Sequence, residues 1–178
     1  VLPLIFEHAY PLVARLDPAL AAGAKRQVRL QVVAQTIRTA EFLELYRALE
    51  EAGATPLVVK GIVCRQLYPR ADHRPSADED LWIPPEQYPL CHGVMTRLGL
   101  VTGETDPDGV YEVPYRRPGS SLYIELHKHL FAPESDTFGG LNEFFGDPFR
   151  SAAVLEVQGT ALRTMHPCEH LTSLIFHA

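Results

Sequence analysis

The sequence predicts an α+β domain, with a mixed sheet behind an N-terminal layer of helices. Three observations carry that expectation. Helix-spaced apolar residues fill the first third of the chain, short β-branched and alternating runs dominate from residue 56 onward, and a helical pattern returns near the end.

Residues 3–16 place apolar side chains at helical steps, and Asp17-Pro18 either ends that segment or opens the next. A longer helix is expected over 24–52, where Val28, Ile37, Phe42, Leu45 and Leu49 recur mostly at three- and four-residue steps and Gly53 supplies the stop. The run PLVVKG (56–61) reads as a strand closed by glycine, and IVCRQLY (62–68) as a short helix before Pro69. Residues 69–76 form a loop. DEDLWI (78–83) then makes a second strand, stopped by Pro84-Pro85, and 86–98 a helix ending near Gly99.

Strands follow at LVTGE (100–104), VYEVPY (110–115) and SLYIELHKHLF (121–131), separated by turns at DPDG (106–109) and RRPGS (116–120). Residues 133–150 are expected to be irregular with one turn of helix. VLEVQG (154–159) and TALRTM (160–165) form a hairpin before a last helix. The expected organisation is an N-terminal helical segment (1–53), a core (54–165) and the start of a C-terminal helical segment (166–178) that continues past the last residue. There is no internal repeat.

Composition excludes several classes. The 178 residues are 46% hydrophobic and 21% charged, and no apolar run approaches the roughly 20 residues of a membrane span. Sixteen basic against 22 acidic residues give a net charge of −6, a field that disfavours nucleic acid as a partner. Three widely spaced cysteines, Cys64, Cys91 and Cys168, contain no CxxC and suit reduced thiols, hence a cytoplasmic setting.

Chemistry concentrates at RPSADEDLWI. In a strand Asp78 and Asp80 share one face and Glu79 the other, so Glu79 is expected to tolerate replacement. The two aspartate Cα atoms then lie roughly 6.5 to 7 Å apart, close enough for both carboxylates to converge on a hard cation such as Mg²⁺. In SLYIELHKHLF, Tyr123, Glu125, His127 and His129 share a face opposite Ile124, Leu126, Lys128 and Leu130. If this strand lies beside 78–83, Glu125 joins the aspartates, and a like-charge cluster results that calls for a cation.

These residues, taken in order, resemble the uncharacterised nucleotidyltransferase family of the DNA polymerase β-like superfamily. The resemblance rests on Lys60-Gly61 at the end of the first strand, Tyr68-Pro69, Arg74, Asp78-x-Asp80, and Glu125-x-His127, and runs from about Leu57 to Leu130. It implies a nucleotidyltransferase-like mixed sheet holding three carboxylates, Mg²⁺ (or Mn²⁺) and an NTP, with transfer of a nucleotide to an acceptor hydroxyl on a small molecule or protein. Asp78 and Asp80 would bind the metals, and Glu125 would complete the site and help deprotonate the acceptor. Lys60, Gly61, Arg74 and His127 would serve the nucleotide and its metal. Gly61-Ile62 replaces the Gly-Ser or Gly-Gly of the broader superfamily, and the loop to Asp78 is longer than its minimal pattern. A non-catalytic nucleotide- or partner-binding module on the same fold is the alternative.

Other constellations read as structure. His127 with His129, and Cys168 with His170, lack zinc-site spacing, and DPDG lacks the further ligands of a calcium loop. Trp82 and Tyr123 are expected in the core, and Cys64 as a small buried apolar group.

Overall fold

The computed structural model describes residues 2–104, 106 and 108–176. Two helices come first, α1 (Leu2–Leu16) and α2 (Pro18–Glu51). Asp17 does both things its position allows: it follows the first helix and caps the second, its carboxylate accepting the Leu20 amide at 2.9 Å with Pro18 in the first turn. Gly53, at φ +92°, turns the chain out of α2.

The rest of the chain supplies β1 (Leu57–Val58), α3 (Ile62–Arg65), β2 (Glu79–Trp82), α4 (Tyr88–Arg97), β3 (Glu112–Arg116), β4 (Tyr123–His127), α5 (Leu141–Phe144), β5 (Ala153–Val157), β6 (Thr160–Thr164) and α6 (Pro167–Phe176). The strands form one mixed sheet in the order β3-β4-β2-β1-β6-β5. β2 runs parallel to β4 and β1 parallel to β6, while the β1–β2, β3–β4 and β5–β6 pairs are antiparallel.

Each face of the sheet buries a different cluster. On one, Phe42, Leu45, Tyr46 and Leu49 of α2 and Cys91, Val94 and Met95 of α4 cover Val58, Leu81, Ile124, Leu126 and Leu162. On the other, Leu57, Val59, Trp82, Leu130, Phe131 and Phe145 meet Met165. Trp82 is a core residue, its ring 5.2 Å from Phe149 and 6.3 Å from Phe145. Tyr123, 37% exposed, is not.

Two further expectations need correction, and a third falls partly outside the described residues. LVTGE is not a strand: Val101 makes one bridge to Arg116, and the Thr102 hydroxyl then takes the Glu104 amide at 3.1 Å, diverting the backbone from the ladder. The alternation expected through Phe131 stops at His127, after which Leu130 joins Trp82's cluster on the face assigned to Glu125. The turn at 106–109 lies partly outside the described residues, though the Gly109 amide does close on the Asp106 carbonyl at 3.2 Å.

Candidate active site

The site begins at the turn after β1. Gly61 has φ +59° and ψ −112°, a conformation side chains rarely adopt, and a Cβ there would lie 2.0 Å from Glu79 Oε2 and 2.8 Å from the Asp78 carbonyl oxygen. Glycine lets the turn press against the start of β2. Lys60, just before it, brings Nζ to 3.9 Å from Asp80 Oδ1.

Asp80 stands opposite Glu125 in the parallel β2–β4 register. Strand alternation puts His127 on the same face, and one ligand atom each from Asp80, Glu125 and His127 lies within 4.8 Å of the others. His127 Nε2 is 3.2 Å from Asp80 Oδ1 and 3.9 Å from Glu125 Oε2, and its Nδ1 is 3.4 Å from Glu112 Oε2. Glu112, paired with His127 across β3–β4, escaped the sequence reading. The signal was there, since VYEVPY alternates and sets its glutamate on one face with Pro114.

The carboxylates are driven apart in acidity. Burial works to raise Asp80, but the hydrogen bond and charge of His127, the charge of Lys60 and a hydrogen bond with Glu125 outweigh it and hold Asp80 below the ordinary aspartate value. Burial, followed by the charges of Asp80 and Glu112, pushes Glu125 up to about 7, and His127 only partly opposes them. Asp80 is therefore the ionised member near neutrality.

Asp80 Oδ2 is buried and has no hydrogen-bond partner among the described residues. An orphan anionic oxygen is costly, and a divalent cation would satisfy it. Two carboxylates and an imidazole make a donor set for a hard or borderline cation, so the residues fit the group.

The remaining expected residues stand further out. Asp78, half-buried just before β2, lies outside the tight group, although its charge contributes to raising Glu125. Arg74 lies over the Tyr68 ring, 5.9 Å from its centroid, and makes no ion pair with the acids among the described residues. His170 is hydrogen-bonded to the Val59 carbonyl at 2.5 Å, and neither it nor Cys168 belongs to a metal-ligand group among the described residues.

Glu79 needs the largest correction. It faces away from Asp80 as alternation requires, but not into solvent: both its side chain and that of Arg65 are 0% exposed, and the two are 2.5 Å apart. Its Oε2 accepts the Ile62 amide at 2.5 Å. Tolerance of replacement is not what such burial predicts.

The six-stranded mixed sheet and its helices are similar in fold to a solved structure. The antibiotic-resistance factor ANT(2'')-Ia in solution superposes with a TM-score of 0.55 at 13% identity, over 81% of this chain and 73% of that one. No curated protein matches. Residues 1–178 match the uncharacterised nucleotidyltransferase family throughout, and the chain belongs to that family.

Proposed function

We propose that the protein transfers a nucleoside monophosphate from an NTP to a hydroxyl on a small molecule or protein, in a reaction dependent on Mg²⁺ or Mn²⁺. The observation that carries this reading is Asp80 in register with Glu125, with His127 beside both and Asp80 Oδ2 buried without a partner. Asp80, Glu125 and His127 would hold the cation, with Asp78 as a further ligand. When bound, it supplies positive charge for the triphosphate and acidifies the attacking hydroxyl.

The chain's own residues divide the remaining work. Asp80, kept ionised by His127 and Lys60, presents Oδ2. Glu125 accepts the proton of the acceptor hydroxyl. Lys60, with 30% of its side chain exposed, is placed to contact phosphate oxygens, and Gly61 lets the turn that carries it close against β2. Arg74 would turn from Tyr68 to reach the nucleotide. No helix among the described residues is long and apolar enough to cross a membrane, and the net charge of −6 favours an acceptor other than nucleic acid.

Calorimetry with Mg²⁺ or Mn²⁺ and NTPs tests this. Binding should require the cation and weaken by about tenfold or more in Asp80→Asn, with pyrophosphate released once an acceptor is supplied. Metal-independent binding that Asp80→Asn and Asp78→Asn leave untouched would falsify the reading.

A non-catalytic binding module is favoured by one observation: Asp80 Oδ1 already meets His127 and approaches Lys60, so the protein offsets part of its own negative charge. Pyrophosphate release with any acceptor excludes that alternative.

A further inference from the structure

We propose that Glu79 is a positioning residue: from the far face of β2, it fixes the Lys60-Gly61-Ile62 turn against the strand that carries Asp80. The inference rests on the nucleotidyltransferase reading for what the turn is positioned to do, but not for the fixing itself.

The geometry is a peg and socket. Glu79 Oε2 accepts the Ile62 amide at 2.5 Å, and Oε1 meets Arg65, one helical turn further on. Ser76 Oγ also donates to Oε1, at 3.4 Å, so the end of the 66–78 loop is tied to the same carboxylate. Arg65 Nη2 donates to Thr39 Oγ1 at 3.2 Å, and Gln35 Oε1 accepts the Ser76 amide at 3.0 Å, so α2 backs the assembly. The socket is tight, because any side chain at position 61 would strike Oε2.

Stability alone does not account for this arrangement. A fully buried ion pair loses so much hydration that an apolar pair of similar volume is often as stable or more so. An apolar pair cannot accept the Ile62 amide, however. That amide belongs to the turn that delivers Lys60 to Asp80, and Glu79 stands in sequence between Asp78 and Asp80. One carboxylate therefore couples the phosphate-side turn to the carboxylate strand, as residues behind a metal ligand commonly do.

Two double variants separate positioning from packing. Arg65→Met/Glu79→Leu removes both charges and the acceptor. Arg65→Met/Glu79→Gln removes both charges but keeps an oxygen for the Ile62 amide. Both should melt within a few degrees of the parent. The leucine variant should lose about tenfold or more in affinity for Mg²⁺-NTP, and the Ile62 amide should lose its protection from hydrogen exchange, while the glutamine variant restores both. Equal affinity and equal Ile62 protection in the two folded variants would overturn the proposal, as would a leucine variant that unfolds while the glutamine variant is stable. If the parent binds no metal-nucleotide, the reading of function fails and the Ile62 exchange data still decide whether Glu79 fixes the turn.

Discussion

Asp80 and Glu125 occupy the same rung of the sheet, yet their acidities move in opposite directions. The difference lies in their neighbours: Asp80 has His127 and Lys60 against it, while Glu125 faces burial first and then the charges of Asp80 and Glu112. With its folded carboxyl near 7 and its ordinary value at 4.5, Glu125 holds a proton in the fold that the unfolded chain has released. The contribution of Glu125 to the stability of the cation-free protein then falls as pH rises from about 4.5 to about 7 and stays lower above. Glu125→Gln, which mimics the protonated acid, should raise the melting temperature at pH 8 without divalent cation by about 2 to 4 °C, equivalent to about 1 kcal/mol after solvent screening. At pH 4.5 it should change little, and a gain of the same size at both pH values would refute the assignment. Alternation within IELH made this rung legible in the sequence. It could not reveal Glu79's surroundings, because a charged residue in a strand reads as solvent-facing until the helix covering that face is known. Arg65, fourteen positions away in chain order, gave no local sign that it would be the partner.

Whole elements follow local sequence where periodicity is strong and depart from it where hydroxyls or loops intervene. The β5–β6 hairpin arises from two short runs joined by Gln158-Gly159 and matches the expectation, and the β2–β4 pairing meets the condition under which Glu125 joins Asp80. Thr102, by contrast, captured a backbone amide and ended a strand that hydrophobicity alone favoured. The last helix has a polar fastening that no pattern announced. His170 of α6 donates to the Val59 carbonyl, the residue just past β1, and burial holds its imidazole below the ordinary 6.5. Because the folded value is depressed, neutral His170 favours docking at higher pH, and that contribution is lost as pH falls below 6.5. Ser173, on the same helix, lines the recess with Lys60, Asp80 and His127, so loosening α6 uncovers the site from that side. Hydrogen exchange of residues 167–176, corrected for intrinsic rates, should show protection dropping several-fold between pH 7.5 and pH 5. His170→Gln, which keeps a donor but does not titrate, should abolish that pH response. The same pH response in both proteins would show that His170 does not control α6.

Across the whole molecule, stability is distributed unevenly along the longest helix. The C-terminal half of α2 contributes Phe42, Leu45, Tyr46 and Leu49 to the main core, all 0% exposed, and its Tyr46 hydroxyl accepts the Arg163 amide at 2.9 Å. Its first three turns bury only Ala21 and Val28, and Pro3 is the sole buried residue of α1. Besides α2, against which it packs, α1 reaches the rest of the fold through polar contacts: Glu7 pairs with Arg70 at 2.9 Å and with His73, both on the loop between α3 and β2. Exposed ion pairs of this kind contribute about 1 kcal/mol or less. Few buried apolar contacts mean opening well below the global unfolding energy. Residues 2–27 should therefore exchange their amides by local opening, orders of magnitude faster than residues 42–50, which should exchange only with the core. Glu7→Ala should speed exchange in α1 and leave 42–50 and the Asp80–Glu125 rung unchanged, since β2 and β4 are anchored by the core, to which the C-terminal half of α2 contributes, and not by α1. Uniform protection along α2 would contradict this division, because it would require the N-terminal turns to draw on burial that their side chains do not have.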